Sequence, residues 1–211
     1  MRKNFISEQE KKAIEDAVAE AEAKSSGEIV PMIVSRSSRY DWLGTRGAFT
    51  GWMAFFLIGL WLHFYLPFAF EYWETQGLQL LGLFLGWMVG RSRLGVKLFA
   101  AKEVLAEEVS QAAHVAFLEH GLVNTRDRTG ILIFISLMER RVQILADKGI
   151  HEKVGQDFWH EETGRIVESI RRGQAAQGML EAIRNIGLKL EAHFPRKVDD
   201  KNELPNRLIV D

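Results

Sequence analysis

The chain has no cysteine and only four prolines in 211 residues. Disulfides and thiolate metal sites are therefore excluded. Lys and Arg number 27 against 28 Asp and Glu, a formal net charge of −1. That balance gives no pull toward a phosphate polymer, so nucleic acid is not an expected partner. There is no Gly-rich phosphate loop, no G-x-S-x-G elbow and no H-E-x-x-H pair. Residues 1–12 are charged where a secretory signal needs an apolar run, so no signal peptide is expected.

The most consequential absence is of charge. Residues 47–70 contain no Asp, Glu, Lys or Arg, and neither do residues 75–90. A helix needs about 20 apolar residues to cross roughly 30 Å of hydrocarbon. The first run is long enough; the second spans about 24 Å at about 1.5 Å per residue. It must borrow Trp73 and Glu74 or thin the bilayer. The Leu, Ile and Phe residues of 48–66 favour insertion by roughly 3 to 5 kcal/mol. These runs predict a transmembrane helical hairpin over residues 47–90. The alternative, a hairpin buried in a soluble core, would require helices apolar all round, which such cores seldom use.

The flanks set the orientation. Arg36, Arg39 and Arg46 precede the first run; Arg91, Arg93, Lys97 and Lys102 follow the second. The connecting segment 67–76 has two Glu and no Lys or Arg. Positive residues stay on the cytoplasmic side, which places both termini in the cytoplasm of a cell with two spans in its inner membrane. Phe68, Phe70, Tyr72 and Trp73 fall where an outer aromatic belt belongs, and Trp52 and Trp87 lie just inside the inner boundary. The lipid bilayer is thus one expected partner. Gly82, Gly86 and Gly90 repeat at four-residue spacing, the pattern of close helix packing. That face would meet the other helix, another membrane protein or a second copy.

The remaining residues, 1–46 and 91–195, make one discontinuous cytoplasmic domain, with 196–211 expected to be a charged, disordered tail. Ser7 and Glu10 form a capping box. Residues 28–35 read as a strand in which Pro31 marks an edge or a bulge. A long amphipathic helix runs from Leu94 to Ala116 and ends at Gly121. Residues 131–136 read as a central strand and 142–147 as its antiparallel partner. Everything after Gly149 reads helical, broken near Gly164 and Gly173 and ended by Pro195. The fold class is α/β: a small mixed sheet sandwiched by helices, its first two strands parallel across a long crossover.

The candidate metal ligands are Glu139, Asp147, Asp157 and His160, since imidazole with carboxylate suits a transition metal. Asp157 and His160 share a helix face, with Glu161 beside them, and Glu139 and Asp147 bracket a strand. The competing readings are a solvated helix face for the first two and a helix cap for Asp147. Arg140 and Arg141 face water and anionic headgroups, or grip phosphate. His63 points to the partner helix or the outer interface, and His114 packs among alanines.

Residues 26–30 (SGEIV), 129–136 (TGILIFIS), 139–142 (ERRV) and 146–150 (ADKGI) together resemble the TPM domain family. The resemblance covers about residues 7–36 and 94–194, and the inserted hairpin resembles a bacterial membrane subgroup. It implies a small sheet sandwiched by helices. It also implies an auxiliary or maintenance role toward another membrane protein, as for members tied to photosystem II repair or to a nematode acetylcholine receptor. One thylakoid member is an acid phosphatase and some members bind calcium, so the resemblance also implies a metal-assisted phosphatase as the alternative. Family members often carry paired aspartates before the first helix and in the strand hairpin. Here the chain has 5–8 (FISE) and Glu139 alone, fewer hard oxygen ligands for calcium.

Overall fold

The computed structural model describes residues 6–65 and 72–211. The chain divides into two units, Met1–Ser37 with Glu107–Asp211, and Ser38–Ala106. These boundaries differ from the expected breaks at 46 and 91. The link after the first strand belongs with the apolar helices: Tyr40 O accepts from Leu43 N–H at 3.0 Å, and Asp41 lies 3.9 Å from Arg91.

In the first unit, α1 (Glu8–Lys24) opens on the expected capping box. Ser7 Oγ accepts from Glu10 N–H at 3.2 Å while Glu10 Oε2 accepts from Ser7 N–H at 2.8 Å. Its buried stripe, Ile14, Ala17, Val18 and Ala21, has the three- and four-residue spacing of one helix face. β1 (Glu28–Val34) pairs in parallel with β2 (Gly130–Ser136), which pairs antiparallel with β3 (Arg141–Ala146). A short β4 (Ile209–Val210) completes the order β3-β2-β1-β4. β2 is buried along its whole length, as its apolar run on both faces requires. Ile29, Ile33, Ile131, Ile133 and Ile135 pack under α1, α7 (Gln156–Arg171) and α8 (Ala175–His193). On the other face, Val30, Val34, Leu132 and Phe134 meet Val109, Ala113, Ala116 and Phe117 of α5 (Lys102–Glu119).

Four expectations are corrected here. Pro31 is on an interior strand, not an edge, but its register makes it harmless. Glu28 N–H and Val34 O bond toward β2, at 3.1 Å each, so even-numbered residues face β2 and odd-numbered ones face away. Pro31 therefore lacks its donor on the β4 side, where pairing begins only at Met32. Next, the tail is ordered rather than disordered. Asp211 N–H donates to Ile33 O at 3.0 Å, and Leu208 is buried. Carboxylates of the domain bind its backbone: Glu28 accepts from Glu203 N–H at 2.9 Å and Glu15 from Leu208 N–H at 3.1 Å. Finally, the long helix from Leu94 is two, α4 (Arg93–Phe99) and α5, parted by an extended Ala100. Beyond β3, α6 (Lys148–Val154) and α7 are parted at Gly155, whose φ of 80° suits glycine, and α7 runs straight through Gly164.

The second unit holds α2 (Trp42–Tyr65) and α3 (Tyr72–Gly90), an antiparallel helical hairpin. Gly82, Gly86 and Gly90 do make a helix contact, and it is internal. A Cβ on Gly86 would overlap the Gly47 carbonyl, one on Gly90 the Leu43 carbonyl, and one on Gly82 the Phe55 side chain. Backbone meets backbone, which only glycine permits. Among the described residues one helix, α2, is long and apolar enough to cross a membrane. Of the two expected spans, α2 meets that requirement and α3 falls short of it in hydropathy. α3 has Glu74, Gln76 and Gln79 in its first half, which lower its hydropathy. The expected outer belt at Phe68 and Phe70, and the side chains of Tyr72 and Trp73, fall outside the described residues.

Candidate functional site

The four predicted ligands do not share a site. Among the described residues no three His, Asp or Glu side chains are grouped to hold a metal ion. Glu139 lies in the β2–β3 turn and Asp147 follows β3, so a six-residue strand, roughly 20 Å long, separates them. Asp157 is exposed in the first turn of α7. His160 is also exposed, with Nδ1 3.2 Å from Gln156 O. Glu161 binds Arg165 at 2.6 Å.

Glu139 ties the sheet together. Its carboxylate accepts from the Ser136 hydroxyl and, at 3.0 Å, from Ser37 N–H, joining the β2–β3 turn to the end of β1. The turn closes through Arg140 at φ 54°, a left-handed residue before β3.

Asp147 caps α6, as the competing reading proposed: Oδ1 accepts from Lys148 N–H at 2.6 Å. Its Oδ2 sits 2.8 Å from Arg128 Nε, an ion pair with a buried carboxylate and a half-exposed guanidinium. Asp147→Ala removes both and is expected to cost about 1–2 kcal/mol, read from the urea midpoint. Asp147→Asn keeps the cap and should cost less. Equal losses would mean that the cap contributes nothing beyond the ion pair.

Two features carry no linear signal. One is a carboxylate pair under the tail. Burial pushes the Glu22 carboxyl up to about 8; the Ile29 N–H bond to it at 2.9 Å opposes this and the neighbouring Glu28 charge adds to it. Glu28 is raised by burial as well, against the bonds from Glu203 and Leu204 N–H. The other is a groove of about 740 Å³ along β3, walled by α6 and α7. Trp159 lines it at 7 % exposure, and its indole N–H has no acceptor among the described residues.

Known proteins match this arrangement in part. Residues 99–188 match the TPM domain. The matched stretch runs from the end of α4 through most of α8, so it holds β2, β3 and the groove but not α1 or β1. The NMR structure of BA42 protein from the psychrophilic bacterium Bizionia argentinensis is similar at a TM-score of 0.62 and 22% identity. The likeness covers 100% of this chain and 99% of that one. At that identity it supports the fold alone. No curated protein matches the chain.

Proposed function

We propose that this is a membrane-anchored TPM-like protein of the bacterial inner membrane. In this reading the α/β unit is a non-catalytic binding or auxiliary factor for another membrane protein. The observation that carries the anchor is the apolar exterior of the hairpin. Phe49, Leu57, Trp61 and Phe64 of α2 and Leu80, Phe84 and Met88 of α3 are all exposed. Only 11% of the most apolar window of α2 is buried, unlike a soluble core helix. α3 is shorter, about 28 Å for its 19 residues, and crosses with its polar first turns at the outer boundary. The inner boundary is marked at both helix ends: Arg46 lies over the Trp42 ring at 4.8 Å and Arg91 over the Trp87 ring at 5.0 Å. The binding role is supported by Glu139, Asp147, Glu15 and Glu28, which are engaged in caps and latches of the backbone.

Two experiments test the two halves. Cysteines placed singly at Glu103, Thr75 and Lys197 are expected to separate by side in intact spheroplasts. Only Thr75→Cys should react with an impermeant maleimide, because the flanking Arg and Lys residues lie on the opposite side from the acidic turn. Labelling of Glu103→Cys or Lys197→Cys would invert the topology, and recovery of all three in a soluble fraction would remove the anchor. In-cell crosslinking of the full chain should recover one defined membrane partner. Recovery of none above background would sink the binding role.

A further inference from the structure

The β2–β3 ladder fixes which backbone groups of β3 are satisfied. Asp147 N–H donates to Gly130 O, its direct opposite, at 2.9 Å. Pairs alternate along an antiparallel ladder, so Leu145 and Gln143 also face β2. The N–H and C=O groups of Val142, Ile144 and Ala146 therefore point outward. β3 is an outer strand of the sheet, so these groups meet no further strand among the described residues. Such an edge is a template for an added strand, and sheets normally cover or charge it. This one is instead roofed on one side by α6 and α7, which overhang it to form the groove. The side chains of Val142, Ile144 and Ala146 lie on that roofed face, against the core.

We propose that this groove binds an extended, acidic peptide segment of a partner protein, added as a fifth strand beside β3. The inference rests on the binding role proposed above. Three observations fit one another. The outward amides and carbonyls recur at every second residue, the repeat of an extended chain. The buried Trp159 indole N–H lacks an acceptor, and buried donors are normally satisfied, so a polar ligand atom fits there. Charge favours an acidic segment: Arg140 and Arg141 stand beside Glu139 at one end of the strand, Lys148 stands at the other, 3.9 Å from Glu152, with Asp147 there held by Arg128, and His151 and His160 line the wall. Residues of the added strand that pair with Val142, Ile144 and Ala146 point their side chains toward that wall, so acidic groups at alternate positions meet it. A second copy fits less well, because its own α6 and α7 would compete for the space the overhanging helices already fill.

The test uses the full chain in lipid nanodiscs with ¹⁵N-labelled backbone and indole groups. The probe is a capped six-residue peptide alternating Glu with Val or Thr. Binding should shift the Trp159 indole resonance, assigned by its loss in Trp159→Phe, and protect the Ile144 amide from exchange. N-methylation of the alternate peptide amides facing β3 should weaken binding at least tenfold with no change to the protein. Lys148→Glu, an exposed rim change, should weaken it severalfold. Equal binding of the methylated peptide, preference for a Lys-containing peptide, or shifts confined to other surfaces would overturn the proposal. So would β3-to-β3 self-association that excludes the peptide. A crosslinked partner captured equally by the Lys148→Glu chain and competed by no acidic peptide would overturn this site while leaving the binding role standing. Peptide binding at β3 with no partner in cells would do the reverse.

Discussion

Gly86→Leu is expected to force α2 and α3 apart. Gly86 packs its Cα against Gly51, and a Cβ there would overlap the Gly47 carbonyl. The obstacle is backbone on the facing helix, which no rotamer change can relieve. Overpacking a close contact costs about 1–3 kcal/mol where side chains can shift, and this site belongs at or beyond the upper end. Gly86→Ala should move in the same direction by less. Leu83→Ala, on the exposed side of α3, should be nearly neutral in detergent. Thermal melts of the detergent-solubilised protein, followed by circular dichroism, give the ranking. An unchanged melting temperature in Gly86→Leu would mean that the helices do not meet along this glycine row.

Glu22→Gln is expected to remove a pH dependence of stability. The ordinary value of this carboxyl is 4.5 and burial raises it to about 8 in the folded chain. Between these values the unfolded chain has released the proton and the folded chain still holds it. Stability is therefore fully present below about pH 4.5 and falls as pH rises toward 8, by something on the order of 2–4 kcal/mol. Glu28, raised in the same direction, adds to the slope. Glutamine keeps an oxygen to accept the Ile29 N–H and carries no charge to bury. At pH 8 the variant should be more stable than the parent, and at pH 5 nearly equal. Urea midpoints at the two pH values decide it, and parallel slopes for parent and variant would mean that Glu22 is not the titrating group.

Local features were legible because local chemistry makes them. Ser7 and Glu10 need only each other, Gly82, Gly86 and Gly90 announce close packing wherever they fall, and the apolar run of 131–136 could only be interior. Asp147 as a helix cap was readable for the same reason, since its partner is the next residue. What escaped depends on residues far apart in the chain. The tail 196–211 looked disordered because its own composition is polar, yet its backbone is bound by Glu15 and Glu28, nearly two hundred residues earlier. Trp159 gave no hint of a groove, because α7 meets the edge of β3 only once the sheet exists. The four proposed ligands were adjacent in pattern but not in space: β3 holds Glu139 and Asp147 apart by its own length.

The order of strands also has a consequence for synthesis. Glu28 of β1 pairs with Gly130 of β2, a separation of 102 residues (130 − 28), and its other neighbour, β4, comes later still. On a ribosome the apolar hairpin emerges between them. β1, rich in Ile and Val, must wait with both edges bare while the hairpin finds its solvent. Pairing at such a distance is slow and leaves strands open to misassociation. Where the hairpin enters lipid first, the waiting strand is held near a surface and kept from other nascent chains. Biogenesis and folding are then one ordered process, with insertion as its first step.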